Sequence, residues 1–440
     1  MCGDDKRKAC NASWDMTTSK VSIPAALSVD ANKYDPRDPR VTESVCYTGL
    51  AETYLVEKFS RDEAFWSRYN VTPGWTYFGA HDGMFRQIPA TYREKCGSYD
   101  PHRRPWFVAA SSGPKDIVLV LDVSGSMGGY GRFGLMKEAA ITVIETLSVA
   151  DKVAVVIFGT NARVLNGQEL LVRATKENKD TLIAAVKKLR LGENTNFHRA
   201  FLEAFSLLER TFQVESTTGC HVAVLFMTDG TITTGPGSNE VIQLVEEKRE
   251  EFLTDFGRTM TIFSFSLGNR ADEAVTKTIA CSTGGIWIPV GDNDSNLYGN
   301  DIISAMSSYY KLFALGMGDG GNDDFVAWVE PHEFFHRKRM GTTVSAPVYD
   351  RSVTPHLFLG VVAIDAYMEA LERILGEDAM SSNMLQRFVD LSTARCPKIE
   401  LAECQLDALR FSGSGDRTTC GSCTDGSKAF GDIVPKRCSS

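Results

Sequence analysis

The chain has 440 residues, 43% hydrophobic and 23% charged, which excludes a disordered or collagen-like polymer and leaves room for two or three domains with cores of their own. A formal net charge of −9 argues against a nucleic-acid partner, whose phosphates need a basic face, and the clusters His102–Arg104 and His336–Arg339 are too short to reverse it. The longest apolar runs, such as Leu357–Ile364, fall short of the roughly 18 residues of a membrane span, and no leader pattern opens the chain, so the chain as given reads as soluble.

Cysteines gather at the two ends, with Cys2, Cys10, Cys46 and Cys96 early and Cys396, Cys404, Cys420, Cys423 and Cys438 late, while Cys220 and Cys281 stand in the middle. This distribution predicts disulfides stapling loop-rich flanks in an oxidising compartment, with one thiol left over from an odd count. A zinc ribbon on Cys420 and Cys423 is the alternative, but its partner pair Cys396 and Cys404 is spaced too widely. Glycosylation triplets at Asn11, Asn70 and Asn293 suit the same extracellular or cell-surface address.

In chain order, the first legible element is Trp75–Arg86, two aromatic-rich runs around His-Asp-Gly that read as a hairpin. From Lys115 to about Leu315, the runs IVLVLDV, VAVVIF, HVAVLFMTD, MTIFSFSLG and IWIPV alternate with helical periodicity. The helices fall at Phe133–Leu147, Asp180–Leu189, Phe197–Thr211, Glu240–Phe252, Asp272–Cys281 and Asp301–Phe313. Near-continuous β-branched runs between amphipathic helices predict an α/β fold with a doubly wound, Rossmann-like parallel sheet, which binds ligands at the carboxyl ends of its strands. Behind it, Phe325–Val329, Thr342–Tyr349 and Leu357–Ile364 read as strands and Ala366–Leu375 as a helix, so one domain is inserted into another. Gly316–Asp324 is then the return linker, since it lacks the spaced acids of a calcium loop. The expected boundaries are an N-terminal segment 1–45, a first outer part 46–113, the inserted domain 114–315, a second outer part 316–395 and a Cys-rich tail 396–440.

Asp122, Ser124 and Ser126 alternate at the end of an apolar strand, so their oxygens fall on one side of an extended chain. Thr195 and Asp229 are expected at loops on the same carboxyl edge. Five side-chain oxygens, two of them charged, suit magnesium, with calcium or manganese as alternatives, and leave a position for a partner's carboxylate. The competing reading, that Asp122, Ser124 and Ser126 merely cap the next helix, does not require Thr195 or Asp229.

Asp122-Val-Ser-Gly-Ser126, Thr195 and Thr228-Asp229-Gly together resemble the metal-ion-dependent adhesion site of a von Willebrand factor A-type domain. Ser22-Ile-Pro, Trp75-Thr-Tyr-Phe-Gly, Tyr99-Asp-Pro-His-Arg-Arg-Pro-Trp-Phe107 and Val344–Asp365 extend the resemblance to the alpha-two-delta auxiliary subunits of voltage-gated calcium channels, over roughly Ser19 to Arg395. The resemblance implies an A domain inserted in an α+β Cache domain, an extracellular non-enzymatic role, and a channel pore subunit as partner. It also implies a pocket for a small amino acid, with Tyr99, Arg104, Trp106, Phe107 and the aromatic wall Trp75 on one side and Asp365 for the amine. Arg104 suits a carboxylate and Asp365 an ammonium. Where the family places a Tyr and an acid on the strand after the linker, this chain has His332 and Phe334.

Two alternatives remain. One is an adhesin or matrix-binding sensor unconnected with channels. The other is a zinc metalloprotease built on His332-Glu333-Phe-Phe-His336, which needs both histidines on one helical face. Pro331 before the motif and Arg337-Lys338-Arg339 after it are unsuited to a buried catalytic helix, and a strand-to-strand turn is the expected structure there.

Overall fold

A computed structural model describes residues 13–15, 19–23, 28–30, 33–34, 39–49, 51–68, 74–92, 99–192, 194–268, 271, 273–291, 308–319, 322–334, 339–352, 356–376, 381–394 and 396. They fall into two compact units. One is Ser112–Gly321 together with the segment at Cys396; the other is the chain before Ser112 together with Asn322–Thr393, so the first unit is an insertion in the second along the sequence.

The inserted unit is built on a sheet in the spatial order Ala162–Val164, Lys152–Phe158, Lys115–Asp122, His221–Thr228, Met260–Leu267 and Trp287–Val290. The five strands from Lys152–Phe158 onward are parallel, and Ala162–Val164 and Val172–Arg173 pair antiparallel with the outer one. Every residue of Lys115–Asp122 and His221–Thr228 is buried, as strands covered on both faces must be. Val118 and Val120 share a core cluster with Phe201, Phe205, Val245 and Phe252, and alternation turns Ile117, Leu119 and Leu121, also fully buried, to the opposite face. Truncating one of these rings, as in Phe201→Ala, costs about 3–5 kcal/mol.

The helices of this unit are Arg132–Thr146, Lys176–Lys187, Phe197–Gln213, Ser238–Phe256, Glu273–Ser282 and Ser308–Asp319. Phe197, Ala200, Phe201, Ala204, Phe205 and Leu208 repeat at three- and four-residue spacing and are buried, while the Asn196 carboxamide accepts from Arg199 N at 3.0 Å and starts the helix. Helix boundaries differ from the sequence reading, two of them in particular. Helix Lys176–Lys187 begins one turn early because the Thr175 hydroxyl caps Asn178 N. The Gly316–Asp324 stretch, expected as linker, is helical as far as Asp319.

The outer unit holds an antiparallel sheet in the order Ala327–Trp328, Arg339–Asp350, Leu357–Tyr367, Thr76–Ala80, Phe85–Ile88 and Lys20–Ser22. The expected hairpin is present as Thr76–Ala80 and Phe85–Ile88, and Leu357–Tyr367 pairs with Thr76–Ala80 to join the two sequence-distant parts. That strand runs through Tyr367, so the following helix is Met368–Leu375 rather than starting at Ala366.

The expected disulfides draw on the middle of the chain as well as its ends: Cys220 bonds to Cys396 of the late cluster, and Cys281 is disulfide-bonded too. Cys396 groups with the inserted unit and bonds to Cys220 across 176 positions, a pairing that spacing does not encode. The same bond removes Cys396 from a zinc ribbon; Cys420 and Cys423 lie outside the described residues. Cys46 is free and exposed.

Candidate metal centre and a second polar cluster

The chain winds outward from Lys115–Asp122 to Lys152–Phe158 on one side, then crosses to His221–Thr228 on the other. Asp122 and Asp229 therefore end adjacent parallel strands at the point where the winding direction changes, the usual place for a ligand crevice. Asp122 Oδ1 accepts from Ser124 N at 2.8 Å and its Oδ2 from the Thr228 hydroxyl at 2.6 Å. The Ser124 and Ser126 hydroxyl oxygens stand 3.0 Å apart, and Ser126 donates to Asp229 Oδ1 at 2.8 Å.

Thr195 reaches the same edge on a loop held from both sides. Its N donates to the Thr233 hydroxyl at 2.8 Å, and its carbonyl accepts from Thr233 N and Thr234 N. A Cβ placed on Gly230 would lie 3.5 Å from Ser126 Oγ and 3.6 Å from Thr195 Oγ1, so these two hydroxyls flank one backbone point. All five expected oxygens are thus gathered; Asp122, Ser124, Thr195 and Asp229 are buried and Ser126 is exposed.

Burial pushes the Asp122 carboxyl up to about 6, with the Asp229 charge adding to the rise and hydrogen bonds from Ser124 and Thr228 opposing it. Asp229 has a cation of its own, with Arg132 Nη1 2.9 Å from its Oδ2. Thr228 was legible in the Thr228-Asp229-Gly run, whereas Arg132 was not picked out, since nothing in the spacing ties it to Asp229.

The donor set fits a hard dication, since it offers carboxylate and hydroxyl oxygens and neither sulfur nor imidazole. The capping alternative fails on geometry. Ser124 precedes the short helical turn Gly125–Gly128 without a side-chain cap bond, and the helix Arg132–Thr146 is preceded by Gly131, which has no capping side chain.

A second cluster lies in the outer unit. Asp100 caps the turn Pro101–Arg103 through His102 N, Arg104 is held extended before a proline, and Pro105 starts the helix Pro105–Ser112. This places Tyr99, Arg104 and Trp106 together: the Arg104 guanidinium stacks 4.7 Å above the Tyr99 ring, and Trp106 Nε1 donates to the Tyr99 hydroxyl at 3.2 Å. Asp365 comes from the Leu357–Tyr367 strand, its N donating to Trp75 O at 2.8 Å, while Oδ1 accepts from the Tyr77 hydroxyl at 2.7 Å and the Thr343 hydroxyl at 2.8 Å.

Burial lifts the Asp365 carboxyl to about 7 against those two hydrogen bonds, and lifts Tyr99 to about 12, with Arg104 pulling it down and Asp365 up. Arg104 Nε is buried and has no hydrogen-bond partner among the described residues. Of the six residues expected here, Tyr99, Arg104, Trp106 and Asp365 are brought together, Trp75 is partly buried beside Asp365, and Phe107 is core, packed on Trp106, His102 and Phe358. Tyr77 and Thr343 were missed, since their only sequence signal was strand membership.

His332–Phe334 is a strand paired antiparallel with Arg339–Asp350, with His332 opposite Gly341. The helical premise of the zinc-protease alternative is therefore not met; His336 lies outside the described residues. Phe334 packs edge-on against Tyr367 at 5.7 Å, an apolar contact where the resemblance implies an acid.

The von Willebrand factor type A domain family matches residues 115–287. The chain is 27% identical over 336 residues, 74% of its length, to the voltage-dependent calcium channel subunit alpha-2/delta-2 of Mus musculus, and 24% identical over 371 residues to the alpha-2/delta-4 subunit of Homo sapiens. It spans 27% and 30% of the lengths of these relatives. Among solved structures, a von Willebrand factor type A protein from Catenulispora acidiphila matches 57% of each chain at 17% identity, with a TM-score of 0.37. Residues 115–287 thus match the von Willebrand factor type A domain family, in a chain that is similar, over 74% of its length, to the alpha-2/delta-2 subunit of voltage-dependent calcium channels.

Proposed function

We propose that the chain is part of an extracellular, metal-dependent protein-binding module of the alpha-2/delta type, with a calcium channel pore subunit as partner. The observation that carries this reading is the convergence of Asp122, Ser124, Ser126, Thr195 and Asp229 oxygens at the switch point of the sheet, four of them buried and Ser126 open to the outside. Magnesium, or calcium or manganese, suits that set, and when bound it would supply a Lewis-acidic position for an Asp or Glu of the partner. Asp122 holds the charge, Ser124 and Ser126 lend neutral oxygens, and Asp229 orients the Ser126 hydroxyl. No helix among the described residues is long and apolar enough to cross a membrane. The test is thermal stability and metal content after chelation, titrating magnesium, calcium and zinc into the wild type and Asp122→Ala. Stabilisation by magnesium or calcium that vanishes in the variant supports the reading; equal responses in both refute it.

A second reading concerns the outer unit, which we take as a Cache domain sensing a small amino acid. It rests on the buried, unpartnered Arg104 Nε facing the same cluster as Asp365. Arg104 would hold the ligand's carboxylate and Asp365 its ammonium. A panel of free amino acids read by thermal shift should find a stabiliser for the wild type and none for Arg104→Met.

A further inference from the structure

Asp229 is fully committed as the chain stands: Oδ1 accepts from Ser126 and Oδ2 from Arg132. Arg132 reaches it by an unusual route. Tyr130 and Gly131 both adopt positive φ, 52° and 74°, turning the loop so that the helix starting at Arg132 presents its first side chain to the site. The guanidinium is then clamped. The Tyr130 ring lies 5.1 Å away, and at Gly268, φ +100°, an added Cβ would run into Arg132 Nε. Arg132 is only 8% exposed, so its ion pair with Asp229 is a buried one.

We infer that Arg132 is a positioning residue of the metal centre: it keeps Asp229 from closing directly on a bound dication, so the cation is held more loosely and keeps a receptive position for an external carboxylate. The inference rests on the metal-site reading above. Asp229 is left orienting the Ser126 hydroxyl, its hydrogen on Asp229 and its lone pairs free for the metal.

The experiment is a calorimetric titration of Mn2+ into the chelator-stripped full chain, without any partner, for the wild type, Arg132→Gln, Arg132→Lys and Gly268→Ala. Arg132→Gln should bind Mn2+ roughly tenfold more tightly, about 1.4 kcal/mol, while Arg132→Lys, which keeps the charge, stays near wild type. Gly268→Ala keeps every charged group but displaces the guanidinium, and it should tighten Mn2+ in the same direction; this covers an Arg132→Gln chain that fails to fold. Wild-type affinity in folded Arg132→Gln, or in Gly268→Ala, overturns the inference while leaving the metal site standing. Absence of Mn2+ binding by the wild type overturns the metal-site reading, and this one with it.

Discussion

The strand Lys115–Asp122 ends in a buried charge at both of its termini, and the two ends are built on opposite principles. At the amino end, Lys115 Nζ lies 2.9 Å from Asp151 Oδ1 with both side chains wholly buried, and Asp151 also accepts from Lys115 N, Ser148 N and the Ser148 hydroxyl. His221 beside it is stacked on Phe313 at 4.3 Å and held neutral, its acidity pushed to about 3 by burial and by the Lys115 charge. At the carboxyl end, Asp122 receives, among the described residues, the uncharged donors Ser124 N and the Thr228 hydroxyl, and Ser126 is open to solvent. Asp151 is neutralised within the fold, whereas Asp122 keeps uncharged donors beside an exposed hydroxyl, and it is on that contrast that the proposed metal site draws.

Breaking the amino end should give the largest effect. Asp151→Ala strands Lys115 in the core and should cost about 3–5 kcal/mol, measured by urea unfolding. Asp122→Ala should behave differently. The apo protein loses little, because a buried carboxyl already pushed up to about 6 is removed, but the stabilisation by magnesium, about 2.7 kcal/mol at a hundredfold excess over Kd, should disappear. If Asp151→Ala instead abolished the metal response at temperatures where the chain is folded, or Asp122→Ala cost as much as Asp151→Ala without metal, the distinction between the two ends would collapse.

That distinction was half legible in the sequence. Asp122, Ser124 and Ser126 announce themselves because strand alternation is local, and Asp229 follows because it ends a second apolar run. The ion pair at the other end was invisible. Lys115 and Asp151 are 36 residues apart and meet only because parallel pairing sets Asp116 opposite Lys152. Arg132 shows the same limit, since its approach to Asp229 depends on two positive-φ residues and a glycine more than a hundred positions away. In the outer unit, Tyr99, Arg104 and Trp106 could be read from one short segment, whereas Tyr77 and Thr343 join Asp365 through sheet register. The disulfide between Cys220 and Cys396 was likewise beyond spacing arguments.

Asp365 tests whether the lesson carries to the outer unit, where a buried acid again has hydroxyl donors. Its folded value of about 7 exceeds the ordinary 3.8, so the folded state holds this proton more tightly than the unfolded chain. The resulting stability is complete below about pH 4 and is lost as pH rises through 7. Asp365→Asn abolishes the titration, so the difference between variant and wild type, read by urea unfolding at half-unit steps from pH 4 to 8, should move in favour of the variant until about pH 7 and then level off. A difference that stays flat would place the carboxyl near its ordinary value. Tyr77→Phe is the smallest perturbation of the same group. It removes one donor to Asp365 and leaves Thr343 in place, and a hydrogen bond to an ionised acceptor contributes more than one to a neutral acid. Its cost should therefore rise by about 1 kcal/mol between pH 5 and pH 8. A cost independent of pH would mean that the hydroxyl at Tyr77 serves Thr343, 3.3 Å away, rather than the carboxylate.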